Sequence, residues 1–148
     1  MTAPTLPPGY EVIRDEIGFS ALAGPFFVRK PRDGHSLAWG FRVEERHINR
    51  GGVAHGGMLV TFADHALGAI VFFAAGRKPC STIDLACSFA APARLGDWVE
   101  CTGEVTRTAR DLVFMRGRLA VADRTLLDVK GIWKVLDRWL GPDQQKRA

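Results

Sequence analysis

The amino-acid sequence predicts an α+β fold, a curved antiparallel sheet of five to six strands wrapped round one long central helix. One strand pattern precedes a long helix, and four more follow it with short connections, which favours antiparallel pairing of successive strands. The helix is apolar around most of its circumference rather than along one stripe, so it must be covered on several sides. A sheet that curves round the helix meets that requirement.

The chain is long enough for one domain, and no repeat or linker divides its 148 residues. We therefore predict a single domain over 1–148 with its core at about 36–136. The proline-rich residues 1–9 and the polar residues 141–148 are expected to be flexible. Tyr10 to Ala23 is long enough to hold a short helix.

The first strand is predicted from Ser36 to Glu45, where large apolar residues at odd positions alternate with small or charged ones, a pattern typical of a half-buried strand. A glycine-rich loop over 49–57 leads into the long helix, which extends to about Ala75 and ends at Gly76 to Pro79. Turn residues separate the four further predicted strands, which are Ser81 to Ala90, Trp98 to Arg107, Leu112 to Ala122 and Thr125 to Leu136.

Composition argues against several classes of protein. No window holds the roughly 18 uninterrupted apolar residues of a membrane span, and the N-terminus lacks the basic start and apolar run of a secretory signal. We therefore expect a cytoplasmic protein without a membrane partner. Cys80, Cys87 and Cys101 show no metal-ligand spacing, so we expect free thiols and no metal. The net charge of +4 permits an anionic partner, but the scattered basic residues lack the pattern of a nucleic-acid site.

Asp64 is the most informative residue, because it lies mid-helix among apolar neighbours, where aspartate has low helix propensity and a high desolvation cost. Its polar company at helical spacing is Thr61, His65 and Gly68, which together form one narrow polar stripe. Such an acid could lie on an exposed helix edge or be satisfied by one hydrogen bond. A carboxylate in a partly dry cleft is instead a candidate general base or nucleophile, with Thr61 and His65 as candidate substrate contacts.

The loop before the helix, Asn49-Arg50-Gly51-Gly52-Val53-Ala54-His55-Gly56-Gly57, is suited to binding an oxyanion. The first N–H groups of a helix lack internal partners and carry the positive end of its dipole, and glycines let a ligand approach the backbone closely. Gly56 and Gly57 therefore offer N–H groups to a developing oxyanion, and His55 and Asn49 are placed to orient the same carbonyl. Alternatively, the glycines serve only the turns of the loop.

The combined motif Asn49-x5-His55-Gly56-Gly57-x6-Asp64 resembles that of the hot-dog-fold thioesterases of the phenylacetate-pathway (PaaI-like) type. The similarity extends from about Leu37 to Leu136 and includes the strand Ser81-Thr82-Ile83-Asp84 and the turn at 92–97. It implies hydrolysis of an acyl-CoA thioester, with coenzyme A as part of the substrate and no further cofactor. The fold is shared with dehydratases and acyl-binding regulators, so the activity depends on the site rather than on the fold.

The resemblance also implies a role for each residue of the motif. Asp64 would activate the attacking water or attack the thioester directly, and the Gly56 N–H would hold the thioester oxygen. His55 and Asn49 would position the carbonyl. Thr82 would orient the water beside Asp64, although the adjacent Ser81 leaves a one-residue ambiguity.

The spacing between Gly56 and Asp64 indicates that two chains share each site. Eight residues of helix span about 12 Å at about 1.5 Å per residue, whereas an oxyanion donor and a base must both lie within roughly 3 Å of one reacting group. We therefore expect a two-fold homodimer with antiparallel helices, in which Gly56 of one chain faces Asp64 of the other. The resemblance implies such dimers, which often pair again into tetramers.

The rest of the substrate would need cations and an apolar pocket. Arg107 and Arg110, beside a predicted turn, are candidate contacts for the phosphates of coenzyme A, although either could be a solvated turn residue. The candidate lining of an acyl pocket is aromatic and comprises Phe26, Phe27, Phe62 and Phe89.

Three alternative functions remain open from the sequence. They are a non-catalytic acyl-CoA-binding module, a dehydratase or isomerase on the same fold, and a purely structural oligomer. His65 would be the candidate catalytic histidine of the dehydratase, while a binding module has no need of a desolvated carboxylate.

Overall fold

The computed structural model describes residues 5–14, 16–32 and 37–139 of the chain. These ranges contain two α-helices, α1 (Gly18–Ala23) and α2 (Gly56–Ala74), and a 3₁₀ helix at Glu45–His47. Their strands are β1 (Tyr10–Val12), β2 (Phe27–Arg29), β3 (Ala38–Arg42), β4 (Cys80–Phe89), β5 (Trp98–Ala109), β6 (Leu112–Val121) and β7 (Arg124–Val135).

The strands form one sheet in the order β1-β2-β3-β5-β6-β7-β4, and every pair is antiparallel. Two-residue turns join β5 to β6 and β6 to β7, where Arg110 and Ala122 take positive φ angles of 56° and 50°. Such left-handed residues match the twist of a tight hairpin. β4 follows α2 directly but pairs with β7, so β4 is an edge strand.

Helix α2 packs against the concave face of the sheet, which confirms the predicted fold class. Its buried side chains are Leu59, Phe62, Ala63, Ala66, Leu67 and Val71. Gly103 on β5 pairs with Gly117 on β6, and a Cβ on either would overlap the Leu67 side chain. These two glycines therefore allow α2 to approach the centre of the sheet.

Helix α2 is also long and apolar enough to cross a membrane by length and composition alone. A helix inside a curved sheet passes the same test, because its core-facing residues supply the apolar composition.

The short helix predicted within Tyr10 to Ala23 is present at Gly18–Ala23. Tyr10–Val12, at the start of that range, is an edge strand paired with β2. β2 itself was not predicted, because three residues are too few to show a period-2 pattern. These two short strands explain why the sheet has seven strands rather than five or six.

The predicted first strand is shorter than expected and is covered on both faces. Ser36 lies outside the described residues, and Glu45 begins the 3₁₀ helix. Phe41 points to the core, while the indole of Trp98 covers Gly40 so closely that a Cβ there would overlap it. The half-buried prediction was wrong because Trp98, Tyr10 and Phe27 form a second apolar layer outside the sheet, with ring centroids 4.9 and 5.4 Å from Trp98.

The aromatic residues predicted to line an acyl pocket have other positions. Phe26 and Phe62 are fully buried, with ring centroids 5.2 Å apart, so they belong to the core. Phe27 packs on Trp98 at the outer face. Phe89 is exposed at the end of β4.

The predicted flexible ends fall only partly within the described residues. Residues 1–4 and 141–148 lie outside them. Within them, the Thr5 carbonyl accepts a hydrogen bond from Arg42 at 3.1 Å.

Candidate active site

Helix α2 and strand β4 bring Asp64 and Thr82 together. The Thr82 hydroxyl donates a hydrogen bond of 2.6 Å to Asp64 Oδ1. Asp64 is half-buried, and Thr82 pairs across β4 and β7 with the buried Trp133, so its side chain lies on the face that meets the helix. Ser81 points to the opposite face, and Thr82 is thus the residue beside the carboxylate.

The cysteines near Asp64 are not suited to act as nucleophiles. Burial raises the pKa of the Cys80 and Cys87 thiols, and the negative charge of Asp64 raises both further. Thiols with raised pKa values remain protonated near neutral pH. The described residues also contain no group of three or more His, Cys, Asp or Glu side chains that could hold a metal ion.

The start of α2 leaves one backbone donor open. His55 is the N-cap, and its Nδ1 accepts from the Gly57 N–H at 2.8 Å. The N–H groups of Met58 and Leu59 both bond to the His55 carbonyl, at 2.8 and 3.3 Å. Of the first four N–H groups of α2, only that of Gly56 has no hydrogen-bond partner among the described residues. The expectation that Gly57 also offers a free N–H was therefore wrong, because the cap occupies it.

The cap also determines the proton position on His55. Since Nδ1 accepts a hydrogen bond, the neutral ring carries its proton on Nε2. The exposed His55 side chain thus has an N–H to donate beside the open Gly56 N–H.

Asn49 shapes the loop from which α2 begins. Its Oδ1 accepts from the N–H groups of Gly51, at 2.8 Å, and Val53, at 3.4 Å. This side-chain oxygen therefore serves the turn, and a contact with a substrate carbonyl would have to come from the Asn49 amide nitrogen.

Two predicted substrate contacts are engaged elsewhere. The Thr61 hydroxyl donates to the Gly57 carbonyl at 2.8 Å. His65 turns away from Asp64 towards the N-terminal segment, where its Nε2 lies 3.2 Å from Glu16 Oε1 and its Nδ1 lies 3.4 Å from Ser20 Oγ. Burial lowers the pKa of His65, and the negative charge of Glu16 opposes that shift.

The partners of His65 were missed by the sequence analysis. Glu16 and Ser20 lie more than forty positions before His65, in a segment without a periodic pattern. A contact of that separation leaves no local signal, so only the packing of the N-terminal segment on α2 could have identified it.

Phe89 closes one side of the helix start. A Cβ built on Gly56 would lie 3.1 Å from Phe89 Cε1, although the Phe89 side chain is 58% exposed. The ring therefore forms an apolar wall beside the open Gly56 N–H.

Arg107 and Arg110 are exposed at the other end of the sheet from Phe89. The strand register places the turn that contains Arg110 at the same end of the sheet as Cys80, the first residue of β4. Cys80 is two residues before Thr82 in the sequence. Within one chain the two arginines thus lie on the Asp64 side of the site rather than the Gly56 side.

Comparison with known proteins identifies related chains. The sequence model of the thioesterase superfamily, a protein family, matches residues 51–127 of this chain. A putative esterase of Pseudomonas aeruginosa is 33% identical over 129 residues, covering 86% of this chain and 96% of that protein. Human acyl-coenzyme A thioesterase 13 is 29% identical over 73 residues, covering 49% of this chain and 52% of that protein.

Solved structures show the same fold. A hypothetical thioesterase of Streptococcus pneumoniae, crystallised with coenzyme A, has a TM-score of 0.65 at 23% identity and covers 74% of this chain and 87% of that chain. The Escherichia coli PaaI protein of the phenylacetic acid degradation operon has a TM-score of 0.61 at 17% identity, covering 68% of this chain and 72% of that chain.

Proposed function

We propose that this chain, which belongs to the thioesterase superfamily, hydrolyses an acyl-CoA thioester to a free acid and coenzyme A. The observation that carries the proposal is the Asp64 carboxylate, held by the Thr82 hydroxyl at 2.6 Å on a helix whose first N–H group is open. A base and an oxyanion donor are the two groups that acyl transfer to water requires.

In the proposed reaction, a water oxygen attacks the thioester carbon while Asp64 takes one of the water protons. The Thr82 hydroxyl donates a hydrogen bond to Asp64 and keeps its proton. The lone pairs of its oxygen therefore remain available to accept a hydrogen bond from the water and orient it. The carbonyl electrons move to oxygen, where the Gly56 N–H and the positive end of the α2 dipole stabilise the charge. Collapse of the intermediate breaks the C–S bond, and the departing thiolate takes the proton from Asp64.

Direct attack by Asp64 is the other route compatible with these groups. The carboxylate would then form a mixed anhydride with the acyl group and release the thiolate, and water would hydrolyse the anhydride. Turnover in isotopically labelled water tests for the direct route, because label enters the Asp64 side chain only when water hydrolyses the anhydride at the Asp64 carbonyl carbon.

We propose further that two chains form each site as a homodimer. Gly56 and Asp64 lie in one continuous helix, about 12 Å apart along its axis, so they cannot serve one carbonyl within a chain. Among the described residues no strand pairs with the outer edge of β4, which has 10 largely exposed residues that include Ile83 and Phe89. Long exposed edges of this kind tend to pair with another strand, and such pairing would bring the two copies of α2 side by side.

Arg107 and Arg110 are the proposed contacts for the phosphates of coenzyme A. Their position on the Asp64 side suits a substrate that spans the two chains, and the pneumococcal relative binds coenzyme A. His65 does not support a dehydratase, because it is paired with Glu16 rather than directed at the Asp64–Thr82 pair.

The test is thiol release from a panel of acyl-CoAs by wild-type, Asp64→Asn and Asp123→Asn chains. Asp64→Asn is expected to lower kcat by roughly 10²- to 10⁴-fold, the usual contribution of a general base. Asp123, an exposed turn residue between β6 and β7, is the matched control and should retain activity. A wild-type chain that binds acyl-CoA without releasing thiol would be a binding module, and the proposal would be rejected.

A further inference from the structure

A cluster of aromatic rings is exposed where α2 ends. The Phe73 side chain is 48% exposed, and the Trp139 side chain is 56% exposed. Phe72 joins them, since its ring centroid lies 5.4 Å from that of Phe73 and 6.0 Å from that of Trp139. Large apolar side chains that are grouped on a surface, rather than scattered over it, usually mark an interaction site.

Three exposed basic residues accompany the rings. The Arg77 guanidinium lies over the Phe73 ring at 5.6 Å, Lys78 is the next residue, and Arg138 directly precedes Trp139. None of the three basic side chains forms an ion pair within the described part of the chain. We call these residues the aromatic–basic patch, which comprises Phe72, Phe73, Arg77, Lys78, Arg138 and Trp139.

The acidic residues beside the patch do not cancel its positive charge. Asp111 and Asp137 line the same cleft as Lys78. The Asp111 carboxylate is already paired with Lys134 at 3.2 Å. Asp137 can therefore offset one of the three basic side chains, and the patch retains a net positive charge that complements an anionic surface.

The aromatic rings of the patch face away from the edge that is proposed to form the dimer. Phe73 and Trp139 line a groove together with Val28 of β2 and Trp39 of β3. β2 and β3 lie towards the opposite edge of the sheet from β4. A second copy bound along β4 would therefore leave these rings exposed.

The local structure explains only part of the patch. Basic residues just beyond the C-terminus of a helix complement its dipole, which gives Arg77 and Lys78 a role within the fold. The dipole gives no reason for two large rings to be exposed beside them. Aromatic rings at the level of lipid headgroups, together with Lys or Arg against anionic lipids, are the combination by which proteins bind membrane surfaces.

We infer that the aromatic–basic patch binds the surface of an anionic lipid bilayer. The Phe73 and Trp139 rings enter the headgroup layer, and the three basic side chains contact lipid phosphates. The chain lies on the bilayer and does not span it. This departs from the expectation of no membrane partner, which rested on the lack of a spanning segment and of a secretory signal. The inference does not depend on the proposed hydrolysis.

The experiment measures sedimentation of the full chain with vesicles of phosphatidylcholine alone or of equal parts phosphatidylcholine and phosphatidylglycerol. Binding is expected only to the anionic vesicles and should weaken as the salt concentration rises. Trp139 reports the contact, because Trp39 and Trp133 are buried and Trp98 is partly buried. Its fluorescence should shift to shorter wavelength on binding, and Trp139→Phe should still bind but lose most of the shift.

A matched pair of double variants separates the patch from the net charge of the chain. Arg77→Gln with Lys78→Gln should weaken binding roughly 25-fold, since each basic residue near an anionic surface contributes about five-fold. Arg116→Gln with Lys130→Gln removes the same charge from the outer face of the sheet, where the two exposed residues pair across β6 and β7. This control should bind as the wild type does.

Three results would overturn the inference. The first is a wild-type chain that does not sediment with the anionic vesicles, and the second is an equal loss of binding in the two charge variants. The third is shielding of Trp139 from acrylamide in the lipid-free chain, because a second copy would then cover the patch. Should Arg77→Gln with Lys78→Gln not fold by circular dichroism, unchanged binding by Phe73→Ser with Trp139→Ser overturns the inference in its place. Failure to release thiol from acyl-CoAs is a separate result, which concerns the proposed function alone.

Discussion

Thr82 supplies the hydrogen bond by which the structure holds the Asp64 carboxylate. Their 2.6 Å contact joins residues 18 positions apart, in two elements that the sequence predicts separately. The sequence singled out the carboxylate because an aspartate is unusual inside an apolar helix. It left Ser81 and Thr82 as alternatives, because the register of β4 against the helix depends on a β-bulge between Thr82 and Asp84 that no local pattern reveals.

Replacing Thr82 by valine should lower kcat/KM by roughly 10- to 100-fold. A hydrogen bond to a charged group is worth about 1.5–3 kcal/mol, and valine keeps the shape of threonine without the hydroxyl. Thr82→Ser should retain most of the activity, and Ser81→Ala should leave it unchanged because Ser81 faces the other way. Thiol release measures all three variants, and equal losses at both positions would contradict the assignment.

His47 should make stability depend on pH. Its Nδ1 accepts from the Glu44 N–H at 3.0 Å and its Nε2 lies 2.9 Å from the Ala23 carbonyl, so the buried neutral ring is satisfied on both sides. Burial lowers the pKa of His47 below its usual value, which is about 6.5. The folded chain binds this proton less readily than the unfolded chain, so the free energy of unfolding should decline as pH falls from about 6.5 through the folded pKa.

Urea unfolding at about pH 7.5 and about pH 5.5 checks this dependence. His47→Gln cannot titrate but can make both hydrogen bonds, so it should lose less stability than the wild type over the same interval. Parallel losses in the two chains would assign the pH dependence to other groups.

At the scale of elements, the sequence predicted the helices and strands that are long enough to show a hydrophobic period. The long helix and the four strands after it lie within three residues of their predicted ends, because each is long enough to show its period. The N-terminal strands and the 3₁₀ helix were missed since three-residue elements are defined by their partners. The second layer over β3 was missed for a related reason: Trp98 and Gly40 are far apart in sequence but adjacent across the sheet.

The packing of α2 against the sheet predicts that glycine-to-alanine substitutions change the free energy of unfolding in opposite directions at two positions. Gly117→Ala should destabilise the fold by about 1–3 kcal/mol, because the added methyl would overlap Leu67 in a packed core. Gly68→Ala, within α2, meets nothing closer than Trp133 Nε1 at 3.5 Å and should be neutral or stabilising by up to about 1 kcal/mol. Thermal unfolding of the two variants measures the difference, and equal effects would show that α2 is not held tightly at these glycines.

At the scale of the whole molecule, the proposed chemistry requires a second copy of the chain. β4 is both the edge of the sheet and the strand that carries Thr82 and Phe89, which lie beside Asp64 and Gly56 respectively. An interface along this edge would therefore bury both halves of the site together. The sequence supports the proposed shared site only through the distance along α2, since the strand edge that we propose to pair is defined by the fold.

Mixing two inactive chains tests the shared site. Asp64→Asn removes the proposed base, and Gly56→Pro removes the open N–H at a first helical position where proline is tolerated. His55 has φ −60° and ψ 132°, which suits a residue before proline. Gly56→Ala is the control, since it adds a Cβ beside Phe89 but keeps the N–H.

The Asp64→Asn and Gly56→Pro chains are unfolded and refolded together in equal amounts. Half of the dimers should then be mixed, and one of the two sites in each mixed dimer should be complete, restoring about a quarter of wild-type activity. Recovery should be absent when either variant is refolded alone, and its absence from the mixture as well would contradict the shared site.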